Sequence, residues 1–180
     1  MLGPTVGRMA FNVLTSSRVT RINFQGPFKC TPVRVGPCAN PPLPLDPNPA
    51  ALFNAEIVNL TKNIKVIRFN VTVLRESFSK QLKVKGYHWE NGKWKIHSLV
   101  NHLACHIIFK TTVSVVTGMK FDQKTCKFFK GAYVFDFDID RIEHMWIKTQ
   151  EYGRIMWRLE SFSSAGLINC WEYETLVEPI

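Results

Sequence analysis

A chain of 180 residues with 46% hydrophobic side chains, 13 Phe and 5 Trp is about one domain long and apolar enough to bury a core, which excludes wholesale disorder. Its formal charge of +9 is sorted by position: residues 1–55 carry 5 Lys or Arg against 1 Asp, residues 56–130 carry 14 against 4 Asp or Glu, and residues 131–180 carry 4 against 9. A basic middle and an acidic end say nothing of fold; they point to an anionic partner and to self-association.

Residues 1–55 read as an arm. The first 45 residues are free of acid and carry Arg8, Arg18, Arg21, Lys29 and Arg34, a composition that also suits a mitochondrial presequence, although Gly3, Pro4, Gly7, Gly26 and Pro27 break any long amphipathic helix there. The start lacks the apolar stretch of a secretory signal, and Leu2 in place of Gly excludes N-myristoylation. Most of the ten prolines lie between Pro27 and Pro49, which favours extended, unpacked chain.

The folded core is expected over residues 56–180. Ile67, Phe69, Val71 and Val73 alternate with Arg68, Asn70 and Thr72, the pattern of a strand with one wet face. Leu82 to Trp89 reads as a second strand, and Glu90-Asn91-Gly92-Lys93 supplies an Asn-Gly turn. A two-residue loop sets Trp89 opposite Trp94, Tyr87 opposite Ile96 and Glu90 opposite Lys93. Ser98 is placed to cap a helix through about Lys110, with Leu99, Leu103 and Ile107 on its apolar side. The β-branched run Thr111 to Thr117 reads as a strand, Phe121 to Phe129 as a short strand or loop, and Tyr133 to Ile139 as an alternating strand followed by a short helix through about Ile147. Tyr152 to Leu159 and Leu167 to Leu176 form a final hairpin. The fold class is therefore α+β: an antiparallel sheet packed with one or two helices, preceded by an extended Pro-rich arm.

Chemistry-bearing motifs are sparse. The five cysteines are odd in number and form no CxxC pair, so a reducing compartment is expected rather than a disulfide framework. Asn59-Leu-Thr61 and Asn70-Val-Thr72 match glycosylation sequons, which matter only in a secreted chain. His102 and His106 lie four apart with Cys105 between them, but no second spaced pair completes a zinc site. Asp136, Asp138 and Asp140 begin like a calcium loop, but Arg141 stands where Gly is required and Ile147 where Glu is required. No GxSxG, HExxH, P-loop or GxGxxG occurs, so neither an enzyme nor a cofactor is expected.

The strand Phe129-Lys-Gly-Ala-Tyr-Val-Phe-Asp-Phe-Asp-Ile-Asp140 resembles one in rhabdovirus matrix proteins, where an aromatic-Lys-Gly start leads into an alternating strand with an acidic end. Tyr152-Gly-Arg-Ile, Ser163-Ser-Ala-Gly-Leu-Ile-Asn-Cys-Trp171 and Ile67-Arg-Phe-Asn-Val-Thr-Val-Leu74 are similar to further strands of that family. The resemblance covers about a third of the chain. It implies a small, basic, self-associating structural protein that bridges the nucleocapsid to the anionic inner membrane face during budding, in the virion and the host cytoplasm. Pro41-Pro42-Leu43-Pro44 occupies the place of a late-budding motif that would recruit host budding factors, but Pro44 stands where PPxY has Tyr.

On this reading Lys62, Lys65, Arg68, Lys80, Lys83, Lys85, Lys93 and Lys95 meet anionic lipid or nucleoprotein, and Asp136, Asp138 and Asp140 serve self-association. The alternative is a basic RNA-associated protein, either a capsid component or an imported mitochondrial ribosomal protein, with Tyr87, Trp89 and Trp94 stacking on bases.

Overall fold

The computed structural model describes residues 26–78, 81–101, 105–106, 110–111, 113–163 and 166–180. In chain order its elements are β1 (Phe28–Pro37), β2 (Ala51–Asn59), β3 (Lys65–Val73), β4 (Ser77–Phe78), β5 (Gln81–Glu90), β6 (Lys93–Val100), a π-helical turn (Val113–Thr117), β7 (Lys127–Phe128), β8 (Gly131–Phe137), α1 (Ile139–Trp146), β9 (Gly153–Phe162) and β10 (Leu167–Pro179). The fold is α+β and mostly antiparallel sheet. A five-stranded sheet in the order β1-β10-β9-β5-β6 and a three-stranded sheet in the order β2-β3-β8 share one core, and β4 pairs with β7 beside them. No helix of the described residues is long and apolar enough to cross a membrane.

The core forms where the alternating strands turn their apolar sides toward each other. Phe28 and Cys30 of β1, Ile67 of β3, Ile139 of α1, Ile155 of β9 and Val177 of β10 are buried in one cluster, flanked by Phe69, Phe137, Trp157 and Tyr173. Each large aliphatic or aromatic side chain so buried contributes about 1.5–3 kcal/mol. A second cluster at the other end of the small sheet joins Ala51, Val71 and Val73 to Phe53, Phe128, Tyr133 and Phe135.

The β5–β6 hairpin has the register its turn dictates. Asn91 and Gly92 both take positive φ, 50° and 77°, as a two-residue hairpin loop of matching twist requires. Trp89 then faces Trp94, Tyr87 faces Ile96 and Glu90 faces Lys93. The two indoles meet edge to face with centroids 5.0 Å apart. A bulge after Gly86 re-aims the strand, and a Cβ at Gly86 would collide with Ser98 and sit 2.9 Å from the Trp157 ring, so only glycine fits there.

Three expectations change. The chain expected to be an arm supplies β1 and the first half of β2, and the boundary at residue 55 falls inside β2. Proline is tolerated in β1 because that strand lies at the edge of its sheet, with a bulge between Pro32 and Arg34. The helix expected from Ser98 begins instead as the end of β6: Ser98, Leu99 and Val100 pair with Gly86, Lys85 and Val84, so the ladder takes the amides that a cap would have served. Leu103 and Ile107 lie outside the described residues. The strand expected over Thr111 to Thr117 is in its described part a π-helical turn, in which the Thr117 hydroxyl donates to the Val113 carbonyl at 2.9 Å.

The cysteines bring the largest change. Cys38 is bonded to Cys170 and Cys105 to Cys126, with Cα atoms 5.4 and 5.5 Å apart, and only Cys30 keeps a free thiol. The two cystines correct the expectation that the cysteines form no disulfide framework.

Candidate functional site

The basic residues expected to share a face do not share one. Lys62, in the β2–β3 turn, and Lys65, at the start of β3, are exposed, as is Lys93 in the β5–β6 hairpin. Arg68 grips Asp136 across the outer face of the small sheet through two bonds of 2.7 and 2.9 Å. Lys85 is 2.7 Å from Glu160 on the outer face of the large sheet, Lys83 lies over the Phe162 ring, and Lys95 pairs with Glu90. The two outer faces of a sandwich point away from each other, so these cations cannot converge on one surface. Lys80 lies outside the described residues.

The three aspartates expected to contact another copy are each engaged within the chain. Asp136 holds Arg68, whose hydrogen bonds keep that carboxyl below its ordinary range. Asp138 caps α1 by accepting from the Arg141 amide at 3.2 Å, and Asp140 accepts from the Cys30 amide at 2.7 Å. Period-two alternation and a helix N-terminus account for all three.

The outer face of the large sheet carries a charge ladder. Glu160, Glu172 and Glu174 are buried beneath Lys85, Arg158, Arg34 and Arg154. Arg154 also spans the Trp89 and Trp94 rings at 5.1 and 5.6 Å. Arg158 reaches further, donating to the Asn40 carbonyl in the β1–β2 connection. The four cations outnumber the three carboxylates by one, and the Arg158 bond ties that connection to the sheet.

Inside the sandwich, α1 aims Glu143 at the core. Its carboxylate accepts from Trp157 Nε1 at 3.1 Å, Gln150 Nε2 at 3.2 Å and Cys30 Sγ at 3.3 Å. Burial pushes the Glu143 pKa up against the pull of those three donors. Burial, with Glu143 beside it, also pushes the Cys30 thiol far above its ordinary value. Cys105 spends its sulfur on Cys126, which removes it from the metal reading; His102 lies outside the described residues, and no metal-binding cluster of three or more His, Cys, Asp or Glu occurs among the described residues.

A small hollow lies between the π-helical turn and α1, lined by Val115, Asp136, Arg141 and Met145, and a more apolar cleft lies beside the β1–β2 connection, which crosses one end of the large sheet as a strap. Cys38–Cys170 anchors it at one side. Leu45 forms a parallel bridge with Leu167, and the Asp46 amide donates to the Leu167 carbonyl at 2.9 Å. Pro41, Pro42, Leu43 and Pro44 lie in the strap and are exposed, so this stretch is a tethered loop and not a free tail. Between the strap, the start of β2 and the start of β10 opens a shallow cleft of about 210 Å³. Leu45, Phe53, Ile168 and Trp171 line it, with Asp46 and Asn169 as its polar side chains. Trp171 also meets Phe69 edge to face at 6.2 Å, so its indole runs from the cleft into the shared core.

Sequence reasoning missed this cleft because its walls come from three distant segments. It also missed the cystines, because spacing along the chain does not show which cysteines meet in space. Comparison with protein-family models, with curated proteins and with solved structures returned no match to this chain.

Proposed function

We propose that this chain is a non-enzymatic binding protein of an oxidising, extracytoplasmic compartment, a cystine-braced β-sandwich that holds an apolar or amphiphilic small molecule in the strap cleft. The observation that carries the reading is the cleft itself: an open recess walled mainly by apolar side chains, with few polar groups among them. An aliphatic tail would lie against Trp171, Phe53 and Leu45, and a polar head would meet Asp46 and Asn169 at the rim. The compartment follows from the pairing of four of the five cysteines. The test is titration with a fluorescent long-chain amphiphile. Saturable one-to-one binding, displaced by unlabelled amphiphile, is expected. Leu45→Asp places a charge on the exposed lip and should weaken binding at least tenfold with no change in melting. Absence of saturable binding to the unaltered protein would overturn the reading.

A second reading rests on a separate observation. Lys62, Lys65 and Lys93 are exposed, and the packing of Ile57, Ile67 and Ile155 in one cluster brings the β2–β3 turn and the β5–β6 hairpin toward the same end of the sandwich. Those three cations suit an anionic surface, as a matrix-type assembly protein or an RNA-associated protein would use. Equal flotation on anionic and neutral vesicles at low salt, together with no RNA retention, would sink it. The reading ranks second because matrix-type function calls for a reducing cytoplasm and one continuous basic face.

A further inference from the structure

Two sequons stand in the structure with nothing in the cleft or the core using them. Asn59 ends β2 and is exposed, and Leu60 and Thr61 follow it into the exposed β2–β3 turn. Asn70 lies mid-strand in β3. Its inward neighbours Phe69 and Val71 face the core, while its cross-strand partners are exposed Asn54 and Val134, the latter 65% exposed. Period two puts Thr72, the hydroxyl of the second sequon, on the same outward face. Neither middle residue, Leu60 or Val71, is proline. Both sites satisfy the sequon rule; Asn59 is exposed, and Asn70 is half-buried on the outward face of the central strand of the small sheet.

We propose that Asn59 and Asn70 are N-glycosylated. The inference rests on the extracytoplasmic reading above, because the transferase and its donor work where cystines form. The donor is an oligosaccharide on a polyprenyl pyrophosphate. The bond between the sugar C1 and the phosphate oxygen breaks, a bond between C1 and the asparagine Nδ2 forms, the amide gives up one proton, and the polyprenyl pyrophosphate leaves with the electron pair.

The positions have consequences. Asn59 lies eight residues along β2 from Ala51 at the cleft, roughly 26 Å at the rise of a strand, so its glycan leaves the cleft open. The same glycan crowds Lys62 and Lys65 in the adjoining turn and opposes their docking on a membrane. The Asn70 glycan covers the outer face of the small sheet, where Val134 is exposed, and stands near Leu52 at the wall of the cleft.

The experiment expresses the full chain behind a cleavable secretion signal in animal cells and digests the secreted product with peptide N-glycosidase. Two steps of mobility shift are expected, with N59Q and N70Q each removing one and the double variant removing both. A single step overturns the assignment at whichever site can be substituted without changing it. No shift, with only one thiol labelled in denaturant before reduction, overturns the inference and leaves the compartment reading standing. Labelling of all five thiols without reduction overturns both.

Discussion

The helical end and the strap end of the sandwich are closed by different chemistry. At the helical end α1 lays Ile139 into the core beside Phe28 and Ile67, and Glu143 gathers Trp157, Gln150 and Cys30 around one buried carboxylate. At the strap end the Cys38–Cys170 bond and a few backbone contacts, Leu45 and Asp46 to Leu167 and Arg158 to Asn40, do the holding, and beyond them Leu45, Phe53 and Trp171 leave apolar surface open. The first end has used its side chains on packing; the second keeps some of them available. That division is why the proposed binding is assigned to the strap end and the larger share of stability to the helical end.

The largest expected effect comes from Trp157→Ala. The indole stacks beside Gly86, meets the His97 ring and donates to Glu143. Its loss should cost about 3–5 kcal/mol in urea unfolding while leaving amphiphile affinity unchanged below the transition. Next is the paired change Cys38→Ser with Cys170→Ser. This bond closes a loop of sequence separation 132, and its removal should cost about 2–4 kcal/mol. It should also weaken amphiphile binding, because the strap forms a wall of the cleft. If Trp157→Ala abolishes binding in folded protein, or the cysteine pair leaves binding intact, the division between the two ends is wrong.

The smallest effect is in pH dependence. Burial raises the Glu143 pKa, and the charge of Asp140 beside it acts in the same direction. The folded chain therefore keeps a proton that the unfolded chain has released. That contribution to stability is complete below the ordinary value of 4.5 and is lost as pH rises through the raised one. Glu143→Gln should flatten this fall, measured as melting temperature against pH. An unchanged slope would mean that Glu143 is already ionised in the fold.

Legibility in the sequence followed the range of the forces involved. The Trp89–Trp94 hairpin was readable to the exact pair because an Asn-Gly turn sets register within six residues. β3, β8 and the β9–β10 hairpin were readable from period two. β1 was hidden because its prolines argue against a strand, and only its place at a sheet edge makes them harmless. Ser98 satisfies the local rule for a helix cap, yet pairing with Gly86 overrides it. The basic residues are contiguous in sequence but divided between outward faces, so a net charge of one sign did not make a surface.

The sequence by itself determined the α+β class, the strands with one wet face and the absence of known catalytic motifs. These depend on alternation, turn chemistry and residue type over a few neighbours. Tertiary structure alone decided that Cys38 meets Cys170, that a proline-rich segment becomes a strap, that Glu143 is buried among Trp157, Gln150 and Cys30, and that Leu45, Phe53 and Trp171 face one recess. Each of these joins residues far apart in the chain. Their proximity comes from closing two sheets on a common core, which no local pattern records.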